Sequence, residues 1–221
     1  MWVKTVVSRA HYNGLIPRNP FAQFRITPNV KEREYLTEGE IRQLIEHEFS
    51  DATLAFTRDL FVFACFTALS FADIRELTAD EIMDVNGEKW IISKRHKTGV
   101  PFQVKLLDIP LQIIGKYRPF QKDNSVFGEI DYWSICKKLK NVIRECNINK
   151  QISFHCSRHT FGTLALSKGM PIESVSRVLG HTNIKTTQIY AKITTQKLGN
   201  DLTAFGNQLN WTFGNIKVAG I

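Results

Sequence analysis

The sequence lacks the segments that mark membrane and secreted proteins. No window approaches the ~18 continuous apolar residues of a membrane span, and the opening "MWVKTVVSRAHYNG" has no long apolar run or small-residue cleavage site. The four cysteines are scattered, without a CxxC pair, which is typical of reduced thiols inside cells. These absences predict a soluble cytoplasmic protein.

Motifs for nucleotide and metal chemistry are also missing. The chain has no P-loop, no HExxH and no paired-carboxylate cluster. His155 and His159 could form a metal pair, but no carboxylate or third ligand lies near them in the sequence. We therefore expect neither a cofactor nor a metal.

Acidic residues are the minority among the charged ones. The 221 residues include 29 Lys and Arg against 21 Asp and Glu, a formal charge of +8. This excess predicts a polyanionic partner, with nucleic acid ahead of a membrane surface. A hydrophobic fraction of 43% supports a real core, and the length suits one domain plus an appendage.

The hydrophobic pattern predicts a mostly α fold with one small antiparallel β-sheet, an α+β domain. Thr37 and Glu40 form a capping box that opens a helix. The apolar stretch 53–77 predicts a buried helix that bends near Ser70, and alternating residues around Thr98 and Gly99 predict a hairpin in a sheet near residues 85–107. Further helical patterns cover 131–146, 157–168, 172–179, 183–191 and 195–205.

The two ends of the chain differ from its middle. Pro17 and Pro20 interrupt any helix and predict an extended connection over residues 1–25. A charged, irregular stretch at 26–35 suits a linker, and 36–205 carries the domain patterns. The apolar, glycine-punctuated tail at 206–221 could be disordered or could dock on a neighbouring subunit.

The segment "FHCSRHTFG" at 154–162 concentrates polar chemistry in front of an apolar helix. It places Arg158 in the first helical turn, with His155 just upstream. Free backbone N–H groups at a helix start favour an anion, and a guanidinium adds a planar fork for phosphate oxygens. The segment predicts a phosphate pocket; the alternative is a helix start whose imidazoles cap backbone groups.

Two further stretches could complete such a pocket. "VLGHTNIKTTQIYAKI" contains His181 and, nine residues later, Tyr190. Tyrosines usually pack on helices, but a phenol can attack phosphorus when a base takes its proton and cations hold the phosphate. Lys97, at the hairpin tip, is of a type that is usually solvated, yet an ammonium there could protonate a leaving alkoxide.

In order and spacing these residues resemble the catalytic domain of the tyrosine recombinases, the phage integrase family. The resemblance covers residues 36–200, and "NPF" at 19–21 resembles the junction after that family's separate core DNA-binding domain. The matching positions are Lys97, His155-x-x-Arg158, Leu179-Gly180-His181 and Tyr190. Residues 1–25 would then be the tail of a missing N-terminal domain.

The resemblance implies a specific chemistry. Tyr190 would attack a DNA phosphate, giving a 3′-phosphotyrosine and a free 5′-hydroxyl. Arg158 would hold the non-bridging oxygens and His181 would hydrogen-bond the phosphate. His155 would act as base toward Tyr190, and Lys97 would protonate the departing oxygen. Strands could then be rejoined without ATP or metal.

The resemblance also implies partners. They are double-stranded DNA at recombination sites and further copies of the chain, as a tetramer on DNA that is monomeric or weakly associated alone. The protein would act on the bacterial nucleoid, for a mobile genetic element.

The sequence departs from the family at one position. Family members carry an arginine near the end of the buried helix, where "TALSFADIREL" has Ser70, although Asp73 still matches the family's acidic residue. "FADIREL" resembles integrases of conjugative transposons that lack this arginine. We expect Arg95 to substitute, since in an extended strand it shares a face with Lys97, with Arg75 as the second candidate; either could instead contact the DNA backbone.

Two other functions compete with the recombinase. Ser70 would also fit a DNA-binding or regulatory relative that has lost activity, which would retard DNA without forming an adduct. A phosphohydrolase using His155 and Cys156 would be sensitive to thiol alkylation.

Overall fold

The computed structural model describes residues 2–24, 34–96, 99–121, 123–190 and 195–213. The chain forms two compact units, Met1–Glu32 and Arg33–Ile221. The first contains helix α1 (Trp2–Tyr12) followed by turns. The extended connection predicted over 1–25 is therefore wrong for its first half: Pro17 and Pro20 lie beyond the end of α1, so they do not interrupt it. The predicted linker falls largely on residues outside the described ranges.

The second unit begins with a capped helix, as predicted. Helix α2 (Glu38–Glu46) has Thr37 as its N-cap. The Thr37 hydroxyl accepts the N–H of Glu40 at 3.3 Å, and the Glu40 carboxylate accepts the N–H of Thr37 at 2.7 Å. This reciprocal pair satisfies two donors that a helix start otherwise leaves open.

The long apolar segment forms two helices that meet at a sharp break. Helix α3 (Ala52–Thr67) ends at Ala68, which has a left-handed backbone with φ of 56°. Helix α4 (Phe71–Arg75) then starts at Ser70, whose hydroxyl accepts the N–H of Asp73 at 3.3 Å. The bend predicted near Ser70 is thus a helix end followed by a new N-cap.

The predicted sheet is confirmed and contains three antiparallel strands in the order of the chain. They are β1 (Ile82–Val85), β2 (Glu88–Lys94) and β3 (Pro101–Lys105). In β2 and β3, Ile91 lies opposite Val104 and Ser93 opposite Phe102. Ile91, Phe102 and Val104 are buried, so one face of the hairpin packs on the helices.

Within the described ranges, five more helices complete the domain. They are α5 (Asp108–Tyr117), α6 (Tyr132–Glu145), α7 (Cys156–Ser167), α8 (Ile172–Leu179) and α9 (Thr195–Phe213).

The helix patterns predicted from the sequence fit three of these well and fail in two places. Helices α6, α7 and α8 match the predicted ranges, whereas α5 was missed. The helix predicted at 195–205 begins where expected and continues to Phe213. The helix predicted at 183–191 is wrong: two short 3-10 turns stand there, Ile184–Thr186 and Gln188–Tyr190. The Asn183 side chain accepts the N–H of Lys185 at 2.9 Å, which caps the first of them.

Helix α3 is the centre of the domain. It packs against α2, α5, α6 and α7, and Leu60, Phe61 and Phe63 on it are fully buried. A second, smaller apolar cluster joins Ala68 at the end of α3 to residues of α7 and α8, and it includes Tyr190. Within the described residues, no helix is long and apolar enough to cross a membrane.

Candidate active site

Arg158 lies in the first turn of α7 and is held by two other helix ends. Its side chain is buried, with the residue 9% exposed. Nη1 donates to the carbonyl of Ala68, and Nη2 donates to the carbonyl of Leu179 at 2.5 Å. Burial and then repulsion from Arg95 lower the pKa of Arg158 to about 10, opposed by Tyr190 and Asp73. The guanidinium is therefore a fixed cation at neutral pH.

Arg95 reaches the same place from the hairpin. It follows β2, and its N–H donates to the carbonyl of Val100 at 2.8 Å. Its Nη2 donates to the carbonyl of Val178, next to the carbonyl that holds Arg158. The guanidinium carbon lies 4.0 Å from the centroid of the Phe102 ring. Carbonyls at a helix C-terminus carry partial negative charge, so the end of α8 accommodates both cations.

Asp73 fixes Arg95 in this position. Its Oδ2 accepts Nη1 of Arg95 at 2.8 Å, and its Oδ1 accepts the backbone N–H of His96 at 3.0 Å. Burial alone would raise the pKa of Asp73, but the bonds from His96, Arg95 and Ser70 outweigh it and leave the pKa below its ordinary value. Burial in turn lowers the pKa of Arg95, against the opposing effect of Asp73.

Ser70 and Arg75 differ in their distance from this ion pair. The Ser70 hydroxyl donates to Oδ2 of Asp73 at 2.8 Å, the same oxygen that holds Arg95. Arg75 instead forms a surface pair with Glu76 at 2.9 Å, with a side chain 45% exposed. Of the two arginines considered as substitutes, the structure brings Arg95, and not Arg75, next to Arg158.

His181 follows the end of α8. Gly180 before it has a left-handed φ of 66°, and a Cβ there would lie 2.9 Å from Nε of Arg95. Both the backbone conformation and the close approach of Arg95 therefore favour glycine at this position. Nδ1 of His181 lies 2.9 Å from the hydroxyl of Thr187, a fully buried residue. Burial, then Arg158, Arg95 and His155, lower the pKa of His181. The imidazole is thus neutral at neutral pH.

Tyr190 lies among these groups. It is 8% exposed and packs with Leu166, Val175 and Leu179. Its ring makes an edge contact with His159 at 5.1 Å and stacks on His181 at 6.5 Å between centroids. The phenol ring therefore packs among apolar side chains, contacts two imidazoles and interacts electrostatically with Arg158.

His155 joins the group through His159. The two rings lie 5.1 Å apart, one helical turn from each other on α7. Among the described ring contacts, Tyr190 therefore meets His159 and His181, with His155 one ring further away. From the sequence, His159 was expected only to cap backbone groups or to form half of a metal pair, and its position against Tyr190 was not predicted.

Gly162 and Thr187 were missed by the sequence analysis altogether. A Cβ on Gly162 would lie 2.8 Å from Cδ2 of the Tyr190 ring. Its spacing from His155 and His159 puts all three on one face of α7, a signal that could have been found. Thr187 is one of several threonines in a polar stretch, and nothing local distinguishes it.

Two other predicted groups remain. Lys97 lies outside the described residues. Cys156 is buried, and its Sγ accepts the N–H of Ser153 at 3.3 Å, a poor position for a nucleophile. Within the part of the chain that the structure describes, no cluster of three His, Cys, Asp or Glu residues could hold a metal ion.

A mostly helical domain with a three-stranded sheet, on which two arginines, histidines and a tyrosine converge, fits a tyrosine recombinase catalytic domain. The chain matches the phage integrase family over residues 34–197, which is most of its length. It belongs to that family, and the resemblance drawn from its motifs is confirmed.

Curated relatives are tyrosine recombinases. The chain is 31% identical over 127 residues to tyrosine recombinase XerA of Saccharolobus solfataricus, which covers 57% of this chain and 43% of that protein. It is 24% identical over 192 residues to a tyrosine recombinase of Thermosipho africanus, covering 84% of this chain and 66% of the other. The chain thus spans about half to two thirds of their length.

Solved structures share the fold. A Tn1549 transposon integrase in complex with circular intermediate DNA matches with a TM-score of 0.75 at 17% identity, over 91% of this chain and 76% of the other. A crystal structure of XerA recombinase matches with a TM-score of 0.63 at 22% identity, over 91% and 75%. At these identities the likeness establishes the fold.

Proposed function

We propose that this chain is the catalytic domain of a site-specific DNA recombinase that cleaves and rejoins strands through a 3′-phosphotyrosine at Tyr190. The observation that carries the proposal is the position of Tyr190 against His181, with Arg158 close enough to interact electrostatically. Solved relatives by fold include XerH bound to its difH substrate and the Tn1549 integrase bound to DNA. Double-stranded DNA is accordingly the proposed substrate.

Arg158 and Arg95 supply the positive charge for the reaction. A guanidinium has five N–H donors, and each arginine gives only two of its bonds to the contacts described above. Nε of Arg95 is buried, and the remaining donors on the terminal nitrogens of the two arginines can bind phosphate oxygens. Because both groups are already oriented and buried, they stabilise charge as it develops without first reorganising. Arg95 then takes the role of the arginine that Ser70 replaces.

His181 acts in its neutral form. When the Thr187 hydroxyl donates to Nδ1, the ring proton resides on Nε2, which can donate to a phosphate oxygen. Donation from Thr187 to Nδ1 is thus part of the proposal.

Proton transfer completes the proposed chemistry. His155, acting through or beside His159, takes the proton of Tyr190 as the phenolic oxygen bonds to phosphorus. Lys97 returns a proton to the 5′-oxygen that leaves.

The wider setting follows from the family. We infer that the protein serves a mobile genetic element in the bacterial cytoplasm and assembles as a tetramer on DNA. Residues 1–25 would end a preceding DNA-binding domain, 26–35 would link it to the catalytic domain at 36–205, and 206–221 would form a tail. Helix α9 crosses the boundary at 205, and its exposed apolar residues Leu202, Phe205 and Leu209 support docking of this helix on a neighbouring subunit.

Covalent capture on duplexes of random sequence tests the proposal. The chain is incubated with a pool of duplexes that have a randomised core and a nick, and DNA that stays attached under denaturing conditions is recovered and sequenced. We expect recovery with the wild-type chain and none with Tyr190→Phe. An adduct formed by Tyr190→Phe excludes this tyrosine as the nucleophile.

The serine at position 70, where the family has an arginine, also fits a relative that binds DNA without cleaving it. Such a protein would retard the duplexes on a native gel, yet no DNA would survive denaturation. The position of Arg95 beside Arg158 favours the enzyme, because the positive charge expected at Ser70 is supplied from the hairpin.

A further inference from the structure

Gly162 lies where the Tyr190 ring meets the backbone of α7. A Cβ at this position would lie 2.8 Å from Cδ2, 2.9 Å from Cγ and 3.1 Å from Cε2 of the ring. Such approaches are shorter than van der Waals contact. Because Cγ is the root of the ring and not a flexible end, the whole side chain would have to move. Any residue other than glycine would therefore displace Tyr190.

Nothing else about this position calls for glycine. Gly162 is in the interior of α7, and its φ lies outside the left-handed region that favours glycine elsewhere in the chain. Glycine in a helix interior is less stable than alanine. The close approach of Tyr190 is thus the structural reason for a residue that weakens the helix carrying Arg158.

The contacts around the ring form a slot. Gly162 is its floor, and His159, one turn earlier on α7, closes one side with its edge contact at 5.1 Å. Leu166 lies one turn later, and Leu179 of α8 packs in the same cluster. His181 stacks on the ring with an angle of 13° between the planes. The described contacts of the ring are thus made by residues of its own chain.

We propose that Gly162 is a positioning residue that seats Tyr190 in the orientation from which it attacks DNA. This inference rests on the proposed function, since it assumes that Tyr190 is the nucleophile. Gly162 itself touches neither phosphate nor proton. Its contribution is the space that lets the phenol lie beside Arg158 and His181.

A double-mutant cycle in the protein without DNA measures the interaction between position 162 and the Tyr190 ring. In a Tyr190→Ala background, Gly162→Ala should raise the melting temperature by a few degrees, because alanine favours the helix. In the wild-type background the same change should lower it. Gly115→Ala in α5 is the matched control, since no described atom lies within 4 Å of a Cβ there. It should raise the melting temperature in both backgrounds.

Two outcomes of this cycle decide whether Tyr190 packs against Gly162. If Gly162→Ala stabilises both backgrounds as Gly115→Ala does, Tyr190 does not occupy the slot. If Gly162→Ala fails to fold while the double variant with Tyr190→Ala folds, the coupling is established by that difference alone.

Adduct formation tests whether the seated orientation is the attacking one. With a duplex recovered by covalent capture, Gly162→Ala should slow single-turnover adduct formation at saturating DNA about a hundredfold, as displacements near 1 Å do. Its affinity for the intact duplex should equal that of wild type and of Gly115→Ala. A structural defect would lower both quantities together.

Failure of this inference and failure of the proposed function give different results. A normal or faster rate for Gly162→Ala overturns the inference while the wild-type adduct remains. If the wild-type chain forms no adduct at all, the proposed function fails, whatever the melting temperatures show.

Discussion

Arg95 and Asp73 are separated by 22 residues in the sequence and form a buried ion pair, with Nη1 2.8 Å from Oδ2 and side chains only 7% and 5% exposed. The pair joins the end of β2 to α4. Each ion offsets the cost of burying the other, since burial disfavours an isolated charge. The position of the second arginine in the site is thus set by a carboxylate that itself does no chemistry.

Removing the carboxylate charge should destabilise the fold. For Asp73→Asn we expect a loss of about 3 kcal/mol in the free energy of unfolding, because Arg95 is left as an uncompensated buried cation. Urea denaturation measures the change. Glu76→Gln is the control, as it breaks the exposed pair with Arg75 and should cost under about 1 kcal/mol. Equal losses for the two variants would contradict the assignment.

The contribution of Asp73 should depend on pH with a definite sign. Its pKa in the folded protein lies below the ordinary value of 3.8, so the folded state favours the ionised form. The stabilisation is complete above pH 3.8 and is lost as the pH falls through the lower folded-state pKa. The stability difference between wild type and Asp73→Asn should therefore be constant near neutral pH and shrink in acid. A constant difference throughout would be evidence against this linkage.

Arg95 and Arg75 can be distinguished by their effect on cleavage. Arg95→Ala should slow single-turnover adduct formation by about a hundredfold to a thousandfold, the usual effect of losing one preorganised donor to a developing charge. Arg75→Ala should leave the rate unchanged, because Arg75 is exposed and paired with Glu76. The reverse result would identify Arg75 as the substitute for the arginine absent at Ser70.

His181 should titrate at a lower pH than an ordinary histidine. Burial and the neighbouring Arg158 and Arg95 lower its pKa from 6.5, so its neutral form stabilises the fold above pH 6.5 and this contribution is lost as the pH falls through the lower folded-state value. NMR titration of the imidazole should give a midpoint below 6.5 in the native chain and near 6.5 in urea. A native midpoint at or above the urea value would be incompatible with this position.

DNA binding should weaken steeply with salt. The chain has a formal charge of +8, and each phosphate neutralised by Lys or Arg releases counterions, so the logarithm of the association constant falls linearly with that of the salt concentration. Fluorescence anisotropy with a labelled duplex at several salt concentrations gives the slope. An affinity insensitive to moderate salt would rule out a basic DNA-binding surface.

Much of the fold could be predicted because its signals are local. The capping box at Thr37 and Glu40, the hairpin and the helices at 131–146, 157–168 and 172–179 depend on neighbouring residues. Helix α5 lacks the side-chain cap that marks α2, since apolar Leu107 occupies its N-cap position. Two 3-10 turns stand where a helix was predicted at 183–191, because the Asn183 side chain caps a short turn. The spacing of apolar residues does not distinguish such a turn from an α-helix.

The site could be predicted in its residue types but not in its contacts. Motif spacing identified Arg158, His181 and Tyr190. Strand alternation favoured Arg95 over Arg75, although β2 ends at Lys94 and Arg95 lies just beyond it. The contacts of Arg158 with the carbonyls of Ala68 and Leu179 span 90 and 21 residues. Such pairings arise only when separate helices pack, and no local pattern records them.

The carbonyls of Val178 and Leu179 are consecutive, and one holds Arg95 while the other holds Arg158. The last turn of α8 therefore acts as a common anchor for both cations, and the chain that leaves it carries His181 and Tyr190. A small rotation of this turn would move both accepting carbonyls and the segment that carries His181 and Tyr190 together, so four groups of the proposed site depend on one helix end. Binding of DNA or of another subunit to this stretch would act on the whole reaction centre at once.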